Sequence, residues 1–549
     1  MKRQTLMPGI IFAIGCLPFL LFGLRADANE LEGVSDSASS TKRPPNVMII
    51  LVDDLGFSDV GCYGGEIETP NLDQLASNGL RFSQFYNTGR CWPTRSSIMT
   101  GYYAQQVRRD KLPNIKSGGG GVRPDWAQLL PRMLKPLGYR SYHSGKWHID
   151  GKPVENGFDR SYWLNDHGRF FSPQRTWLND EKLAPVARDS GYYATTAVAD
   201  HAIAQLQEHV SKSAEAPFFQ FVTFTAPHFP LHALPEDIEK YKRKYDDGWE
   251  ASRARRWERI KKLEIVSGEL SAVEREQGPP YPLQKSFPLF GPGEVAFPLE
   301  WGTLTEEQKE FQAAKMAIHA AMVDRVDQEI GRLLDQLRSM AALENTLILF
   351  LSDNGASAEI MIRDDGHDSQ ASPGSAATHL CLGPGWSTHC NTPFRKHKTW
   401  VHEGGISTPL IVHWPAGVDS PGGWRRSPAH VIDIVPTILE VAGGDFRKLD
   451  ERQPDLPGRS LVNVFEKDVR LVRDCLWWSH ENHRAIRMGD WKLVKTNKTD
   501  WELFNLENDR MENNDLADRF PEKVKQLEKT WQDNENRFID DLRATADLK

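Results

Sequence analysis

Val47-Met48-Ile49-Ile50-Leu51-Val52-Asp53-Asp54 is the stretch on which the fold turns: six apolar residues without polar alternation, ending on two carboxylates. An apolar run of that length without alternation suits a strand buried on both faces of a parallel sheet. Phe218 to Thr225 and Thr346 to Leu351 repeat the pattern. Between such runs the apolar residues fall at helical spacing, most clearly from Gln312 to Arg338. There Ile318, Met322, Ile330, Leu333 and Leu337 recur on one face and lead directly into the third strand. Strands alternating with amphipathic helices up to about residue 445 predict an α/β fold, a sheet covered by helices on both faces.

In parallel sheets ligands bind beyond the carboxyl ends of the strands, so the residues just after each strand carry the chemistry. Asp53-Asp54 and Asp353-Asn354-Gly355 then share one edge. Three carboxylates and an amide are hard oxygen donors, which suit Ca²⁺ or Mg²⁺ better than zinc. Any one of these acids could equally cap a helix or turn; two acidic pairs after two buried strands favour a metal. Tyr139–His143 leads into Ser144-Gly145-Lys146-Trp147-His148, and the second long strand into Ala226-Pro227-His228-Phe229-Pro230-Leu231-His232. His228 and His232 have the spacing of a helical zinc pair, but Pro227 and Pro230 oppose a regular helix there. A hard cation with Lys, Arg and His would stabilise a multiply charged tetrahedral oxyanion, a sulfuryl or phosphoryl group. Competing motifs are absent: Gly145-Lys146 lacks a P-loop, Gly118–Gly121 lacks the following Lys-Ser/Thr and reads as a flexible loop, and no G-x-S-x-G elbow occurs.

Working outward, the 549 residues are 39% hydrophobic and 26% charged, with a net charge of −8. That composition excludes wholesale disorder, collagen and coiled coil, and the mild acidity argues against a dedicated nucleic-acid binder. The length exceeds what one hydrophobic core usually serves, about 250–300 residues. Residues 46–470 read as the large catalytic domain, with an insertion at about 246–310. Its basic residues Arg253, Arg255, Arg256, Arg259, Lys261 and Lys262 are interleaved with Glu250, Glu258 and Glu264, the pattern of a solvated helix face. Residues 471–549 read as a C-terminal α+β subdomain, with strand-like pieces around 475–478, 485–488, 491–495 and 501–504, then a helix from about Pro521 to Arg537. The 17 tryptophans read first as core and second as a carbohydrate-binding lining.

The first 28 residues read as an export signal: Lys2 and Arg3, an apolar run from Leu6 to Leu24, then Ala26-Asp27-Ala28. Pro8, Pro18 and three glycines make that run a poor permanent membrane helix, so a periplasmic or secreted protein is expected, with residues 29–45 a disordered lead-in. Removing Cys16 with the signal leaves five cysteines, an odd number that points to a free thiol, an intermolecular bridge or another use. Cys381 and Cys390 are close enough in sequence to form a small disulfide loop.

Gly89-Arg90-Cys91-Trp92-Pro93-Thr94-Arg95-Ser96-Ser97-Ile98-Met99-Thr100-Gly101 resembles the signature of the type I, formylglycine-dependent sulfatases. Asp53-Asp54-Leu55-Gly56, Gly145-Lys146-Trp147-His148, Ala226-Pro227-His228, Ser352-Asp353-Asn354-Gly355 and Pro393-Phe394-Arg395 through Lys398 to Glu403-Gly404-Gly405 stand around it in that family's order. Gly489–Leu493 and Glu502–Leu506 are similar to arylsulfatase C-terminal segments. The resemblance implies an alkaline-phosphatase-like fold, a mostly parallel central sheet flanked by helices plus a small C-terminal antiparallel sheet with one helix. It implies hydrolysis of sulfate monoesters, of a sulfated carbohydrate or an aryl sulfate. A maturation enzyme would oxidise Cys91 to formylglycine; in the hydrate one hydroxyl attacks sulfur and the other later expels sulfate. By the same resemblance Asp53, Asp54, Asp353 and Asn354 bind Ca²⁺ with the modified Cys91, and Arg95, Lys146 and His148 hold the nucleophile. His228 and Lys398 bind sulfate, with His228 the proton donor, a service worth roughly 10²–10⁴ in rate; His232 is a weaker substrate contact. Trp92 stands where a small residue is common, and Ser407 where many relatives carry Arg. Two rivals remain, a phosphomonoester or phosphonate hydrolase of the same superfamily and a non-catalytic glycan-binding relative that keeps the Cys91 thiol.

Overall fold

The computed structural model describes residues 43–445 and 453–546. The expected signal segment and residues 29–42 of the expected lead-in lie outside them. Among the described residues no helix is long and apolar enough to cross a membrane.

Eleven strands form one sheet. They are β1 (Asn46–Val52), β2 (Leu80–Tyr86), β3 (Arg140–Gly145), β4 (Arg160–Leu164), β5 (Thr176–Leu178), β6 (Glu181–Lys182), β7 (Phe218–Thr223), β8 (Thr346–Ser352), β9 (Ser407–His413), β10 (Trp424–Arg425) and β11 (Ala429–His430). The order is β10-β2-β9-β8-β1-β7-β3-β4-β5-β6, with β11 also on β2. From β8 to β4 every pairing is parallel; β9 runs antiparallel between β8 and β2, and β5 and β6 close the far edge antiparallel. Leu51 lies opposite both Thr223 and Leu351, and Gly145 opposite both Thr223 and Trp163. The carboxyl ends of β8, β1, β7, β3 and β4 therefore stand in one row.

The double burial read from β1 has a simple geometry. Met48, Ile50 and Val52 enter one apolar cluster, with Met316, Met322, Ile330 and Leu333 of the Glu306–Ser339 helix. Val47, Ile49 and Leu51 point the other way, into a cluster with Leu130, Leu134, Val435 and Ile438. The long helix begins six residues before the expected Gln312, because Thr305 and Gln308 make a capping box: Gln308 N donates to Thr305 Oγ1 at 3.2 Å and Thr305 N to Gln308 Oε1 at 3.0 Å.

The C-terminal sheet is an antiparallel meander of β12 (Leu476–His480), β13 (His483–Met488), β14 (Trp491–Lys495) and β15 (Glu502–Asn505). The helix after it runs on to Ala546, beyond the expected Arg537, since Phe538, Ile539 and Leu542 still pack with Trp477, Trp531, Tyr102 and Tyr103. Most tryptophans serve as core, among them Trp147, Trp249, Trp386, Trp477, Trp478 and Trp531.

Two expectations are corrected. Cys381 and Cys390 are both free. The Gly383–Cys390 helix separates them, and at about 1.5 Å rise per residue its ends lie ~10 Å apart, beyond the ~7 Å that a disulfide spans between Cα atoms. The basic face of the Gly248–Lys262 helix is not wholly solvated. Arg253 donates to Ser271 O at 2.6 Å, and Arg256 is buried between Asp59 and Glu66 at 2.8 and 2.7 Å. A carbonyl and hydroxyl of Ser271 draw Arg253 inward, and acids from distant segments draw Arg256.

Candidate active site

At the carboxyl edge the chain twice adopts a left-handed backbone at a non-glycine residue, Asp54 (φ 64°) and His148 (φ 58°). Such residues cost about 1–3 kcal/mol each and persist where surroundings over-determine them. Gly145, at φ 118°, lets β3 approach β7 closely, for a Cβ there would meet Thr223 O at 2.0 Å. That approach lets Lys146 N donate to Thr223 O at 2.9 Å and sets the direction of the segment carrying Lys146 and His148.

Cys91 opens the Cys91–Thr100 helix and is buried, as is Arg95 one turn on. Around them lies a ring of buried charge. Lys146 Nζ pairs with Asp53 Oδ2. Arg95 Nη2 lies 2.8 Å from Asp353 Oδ2 and 3.7 Å from Asp53 Oδ2, while its Nη1 donates to Lys146 O at 2.8 Å. Lys398 Nζ lies 2.8 Å from Asp54 Oδ1 and 2.9 Å from Glu359 Oε2, and Arg90 Nη2 holds the other Glu359 oxygen at 3.0 Å. Asn354 Nδ2 donates to Asp54 Oδ1 at 2.7 Å. Carboxylates Asp53, Asp54, Asp353 and Glu359 thus balance cations Arg95, Lys146, Lys398 and Arg90.

Two oxygens escape this pairing. Asp53 Oδ1 and Asn354 Oδ1 are buried with no hydrogen-bond partner. A buried lone pair without a donor costs about 1–3 kcal/mol, and a hard cation satisfies it. Burial and the neighbouring Asp53 push the Asp353 carboxyl up to about 7, and burial also raises Asp54. A divalent ion beside them would reverse both shifts. Burial opposes the charge on Asp53 too, but Lys146, His228 and Arg95 hold it well below the usual range. The donor set therefore fits a hard divalent cation.

Burial lifts the Cys91 thiol and, with Lys146, holds His148 well below 6.5. Burial works against the charge on Lys398, but Asp54 and Glu359 outweigh it. His228 Nδ1 donates to the Phe229 carbonyl, which leaves Nε2 3.8 Å from Asp54 Oδ2. Burial and Lys398 depress its pKa. Asp53, Asp54 and His228 oxygens and nitrogen lie within 4.8 Å of one another.

The structure thus brings together Asp53, Asp54, Cys91, Arg95, Lys146, His148, His228, Asp353, Asn354 and Lys398. His232 stands apart, its Nε2 2.7 Å from Thr378 O and its ring against Phe170 and Phe171. Trp92 sits at the rim, edge-on to His148 and His480 (centroids 5.8 and 5.5 Å), with Arg90 over its ring at 5.3 Å. The Gly118–Gly121 loop packs beside it and is hydrogen-bonded at both ends: Gly121 N to Gly118 O at 2.8 Å, Gly118 N to Arg108 O at 3.1 Å. Sequence reasoning missed Glu359, which no motif marks but which Lys398 and Arg90 both need as counter-charge. It also passed over His167, three residues beyond the short strand β4, whose ring packs on that of His148.

Residues 45–444 match the sulfatase family, and residues 394–537 match the family described as N-sulphoglucosamine sulphohydrolase, C-terminal. The chain is 32% identical over 542 residues to an uncharacterised sulfatase of Schizosaccharomyces pombe, with 89% of this chain and 93% of that one covered. It is 31% identical over 460 residues to an arylsulfatase of Klebsiella aerogenes, covering 78% and 94%. Among solved structures, Ps i-CgsB in complex with k-i-k-neocarrahexaose superposes with a TM-score of 0.64 at 24% identity, covering 90% and 93%, a likeness that bears on the fold.

Proposed function

This chain belongs to the sulfatase family, and from that premise we propose that it hydrolyses sulfate monoesters with a nucleophile made from Cys91. The enzyme is a sulfuric ester hydrolase on an alkaline-phosphatase-like fold. We read its substrate as a sulfated carbohydrate or aryl sulfate. The arylsulfatase relative and the oligosaccharide bound to the structural neighbour support that class.

Oxidised to formylglycine by a maturation enzyme and hydrated, residue 91 supplies a geminal diol, one hydroxyl to attack sulfur and a second whose deprotonation later frees sulfate. Asp53, Asp54, Asp353, Asn354 and residue 91 would hold a Ca²⁺ ion, which when bound would supply positive charge against the sulfuryl oxygens. Arg95 holds Asp353 and reaches Asp53, so it orients two of those oxygen donors at once. Lys146 and Lys398 face the ester from opposite acids, Asp53 and Asp54, and offset the charge that makes a sulfate ester a poor electrophile. Burial and Lys398 disfavour the charged form of His228; a bound anion beside Nε2 raises its pKa, and the protonated ring gives its proton to the leaving alcohol oxygen as the S–O bond breaks. His148, neutral beside Lys146, takes the proton of the attacking hydroxyl. Burial of the ring keeps water from competing with these contacts.

The observation that carries this reading is the pair of unpartnered oxygens, Asp53 Oδ1 and Asn354 Oδ1, in a ring of balanced charge beside Cys91. We further read residues 1–28 as an export signal. The test is mass spectrometry of the Cys91–Arg95 peptide from the native host, with rates on matched sulfate and phosphate monoesters. An aldehyde or hydrate at residue 91 and preference for sulfate are expected; a thiol throughout, or preference for phosphate, sinks the reading.

A further inference from the structure

β4 lies parallel beside β3 with Gly145 opposite Trp163, so the chain leaving β4 emerges beside the Lys146–His148 segment. There Asp166 is buried and accepts from Gln174 N at 2.8 Å, Arg169 Nη1 at 3.1 Å and Arg175 Nη2 at 3.4 Å. Asn165 N donates to Arg175 O at 3.0 Å. The turn is thereby fixed just before His167. The His167 ring packs on that of His148, centroids 5.3 Å apart, and its Nε2 is buried without a hydrogen-bond partner. Lys146, His148, Asp53 and His228 all lie within its electrostatic reach, and burial first, then Lys146, keeps the imidazole neutral. Asp53 Oδ1 and His167 Nε2 are both unpartnered and do not bond each other. The first suits a cation. The second lies near Lys146, the Asp53 carboxylate and the neutral rings of His148 and His228; in its Nε2–H tautomer it is a donor without an acceptor, and an anionic oxygen drawn in by Lys146 is the fitting partner. His232 Nδ1 is also unpartnered, but its charged neighbour is Asp365, so it faces no such pocket.

We propose that His167 binds the substrate, its Nε2–H donating to an oxygen of the sulfuryl group. The proposal rests on the sulfatase reading. It predicts that His167 senses sulfate whatever alcohol is attached.

The test compares wild type with His167→Ala and His167→Gln in the mature, metal-loaded enzyme. The readouts are inhibition by inorganic sulfate, the thermal shift that sulfate produces, and kcat/KM on nitrophenyl sulfate and on a sulfated monosaccharide. His167→Ala should weaken sulfate inhibition and lower kcat/KM on both esters by about ten-fold or more, the value of one hydrogen bond to a charged group, with metal content unchanged. His167→Gln, whose amide nitrogen reaches near the Nε2 position, should recover most of that loss. Unchanged sulfate binding in His167→Ala overturns the proposal, and so does a loss confined to the sugar ester. Should the alanine variant fail to fold, His167→Leu keeps the bulk, removes the donor and carries the same expectation. A wild type that hydrolyses no sulfate ester overturns the family reaction for this chain, whereas an unchanged sulfate thermal shift in the variant overturns the role of His167 alone.

Discussion

Two of the buried clusters of charge in this molecule are finished differently. At the carboxyl edge Asp53, Asp54, Asp353 and Glu359 meet Arg95, Lys146, Lys398 and Arg90, yet Asp53 Oδ1 and Asn354 Oδ1 remain without partners. Where the C-terminal sheet joins the main one, Glu403 and Glu512 meet Lys492 and Arg510. There Glu403 Oε1 lies 2.9 Å from Lys492, and Glu403 Oε2 2.8 Å from Arg510. Tyr86 OH and Ser407 Oγ also donate to Glu403 Oε2, each at 3.0 Å. Glu512 receives Lys492 on one oxygen at 2.7 Å and Glu403 N on the other at 3.0 Å. Similar residues and similar burial are finished differently: every carboxylate oxygen of the joint faces a cation or a donor, Glu512 Oε1 through its ion pair with Lys492 alone, whereas Asp53 Oδ1 in the pocket faces neither. Completeness, more than charge, separates a structural cluster from one built to receive a ligand. Ser407 fits this account, because the small side chain admits the Arg510 guanidinium at 3.3 Å, so Glu403 gains an arginine from the turn that follows β15.

The comparison breaks if the two clusters respond alike to substitution. Cys91→Ala or Asp53→Ala should cut turnover on the order of 10³-fold or more, since each removes part of the nucleophile or its cation site. The thermal midpoint of Cys91→Ala should stay near wild type. A chelator should lower the midpoint of wild type but not of Asp53→Ala, because a bound ion stabilises only the folded state. At the joint the pattern should invert. Glu403→Gln leaves the buried Arg510 without its carboxylate and Lys492 with Glu512 alone, and should cost about 3–5 kcal/mol of stability, read as a shifted denaturation midpoint. The folded fraction should keep its kcat. Full stability in Glu403→Gln would erase the distinction between joint and pocket.

Much of the pocket is legible in sequence because it hangs on long apolar runs. Asp53-Asp54, Asp353-Asn354 and His228 each come after a strand that announces itself, and parallel pairing then puts them on one edge. His167 comes after β4, five residues whose pattern resolves only when Gly145 is seen opposite Trp163. Glu359 sits on a loop, and its role comes from Lys398 and Arg90, far along the chain. Arg510 reaches Glu403 across 107 residues. These are tertiary facts, and local periodicity carries none of them. The early start of the Glu306–Ser339 helix is a different case, because Thr305-x-x-Gln308 is a local capping signal that lies outside the apolar repeat.

A pH profile adds to the contrast, because neutral histidines are buried near the C-terminal sheet, His430 against Trp478 and both His397 and His483 against Trp400. His397, His430 and His483 are each held down to about 3, chiefly by burial. Their folded values lie below the unfolded 6.5, so the unfolded chain takes up protons first as pH falls. Their contribution is full above about 6.5 and is lost between about 6.5 and 3, at ~1.4 kcal/mol per unit for each. Asp327, held up to about 6 by burial, works in the opposite sense over part of that range. The denaturation midpoint should therefore fall from about pH 6.5 to about 4.5, and His430→Gln should flatten the slope. A slope unchanged by that substitution would place the acid sensitivity elsewhere.

The smallest effect tests saturation itself. Tyr86 OH donates to Glu403 Oε2 at 3.0 Å and accepts from Arg487 at 2.7 Å, so Tyr86→Phe removes one donor from a carboxylate that keeps Arg510, Ser407 and Lys492. Because the charge stays compensated, the cost should be that of one hydrogen bond to a charged group, about 1.5 kcal/mol, well below Glu403→Gln. Turnover should not change, since Tyr86 touches nothing in the pocket beside Cys91. If Tyr86→Phe cost as much as Glu403→Gln, the joint would behave as a network in which each bond depends on the rest, and counting its partners one by one would no longer explain its stability.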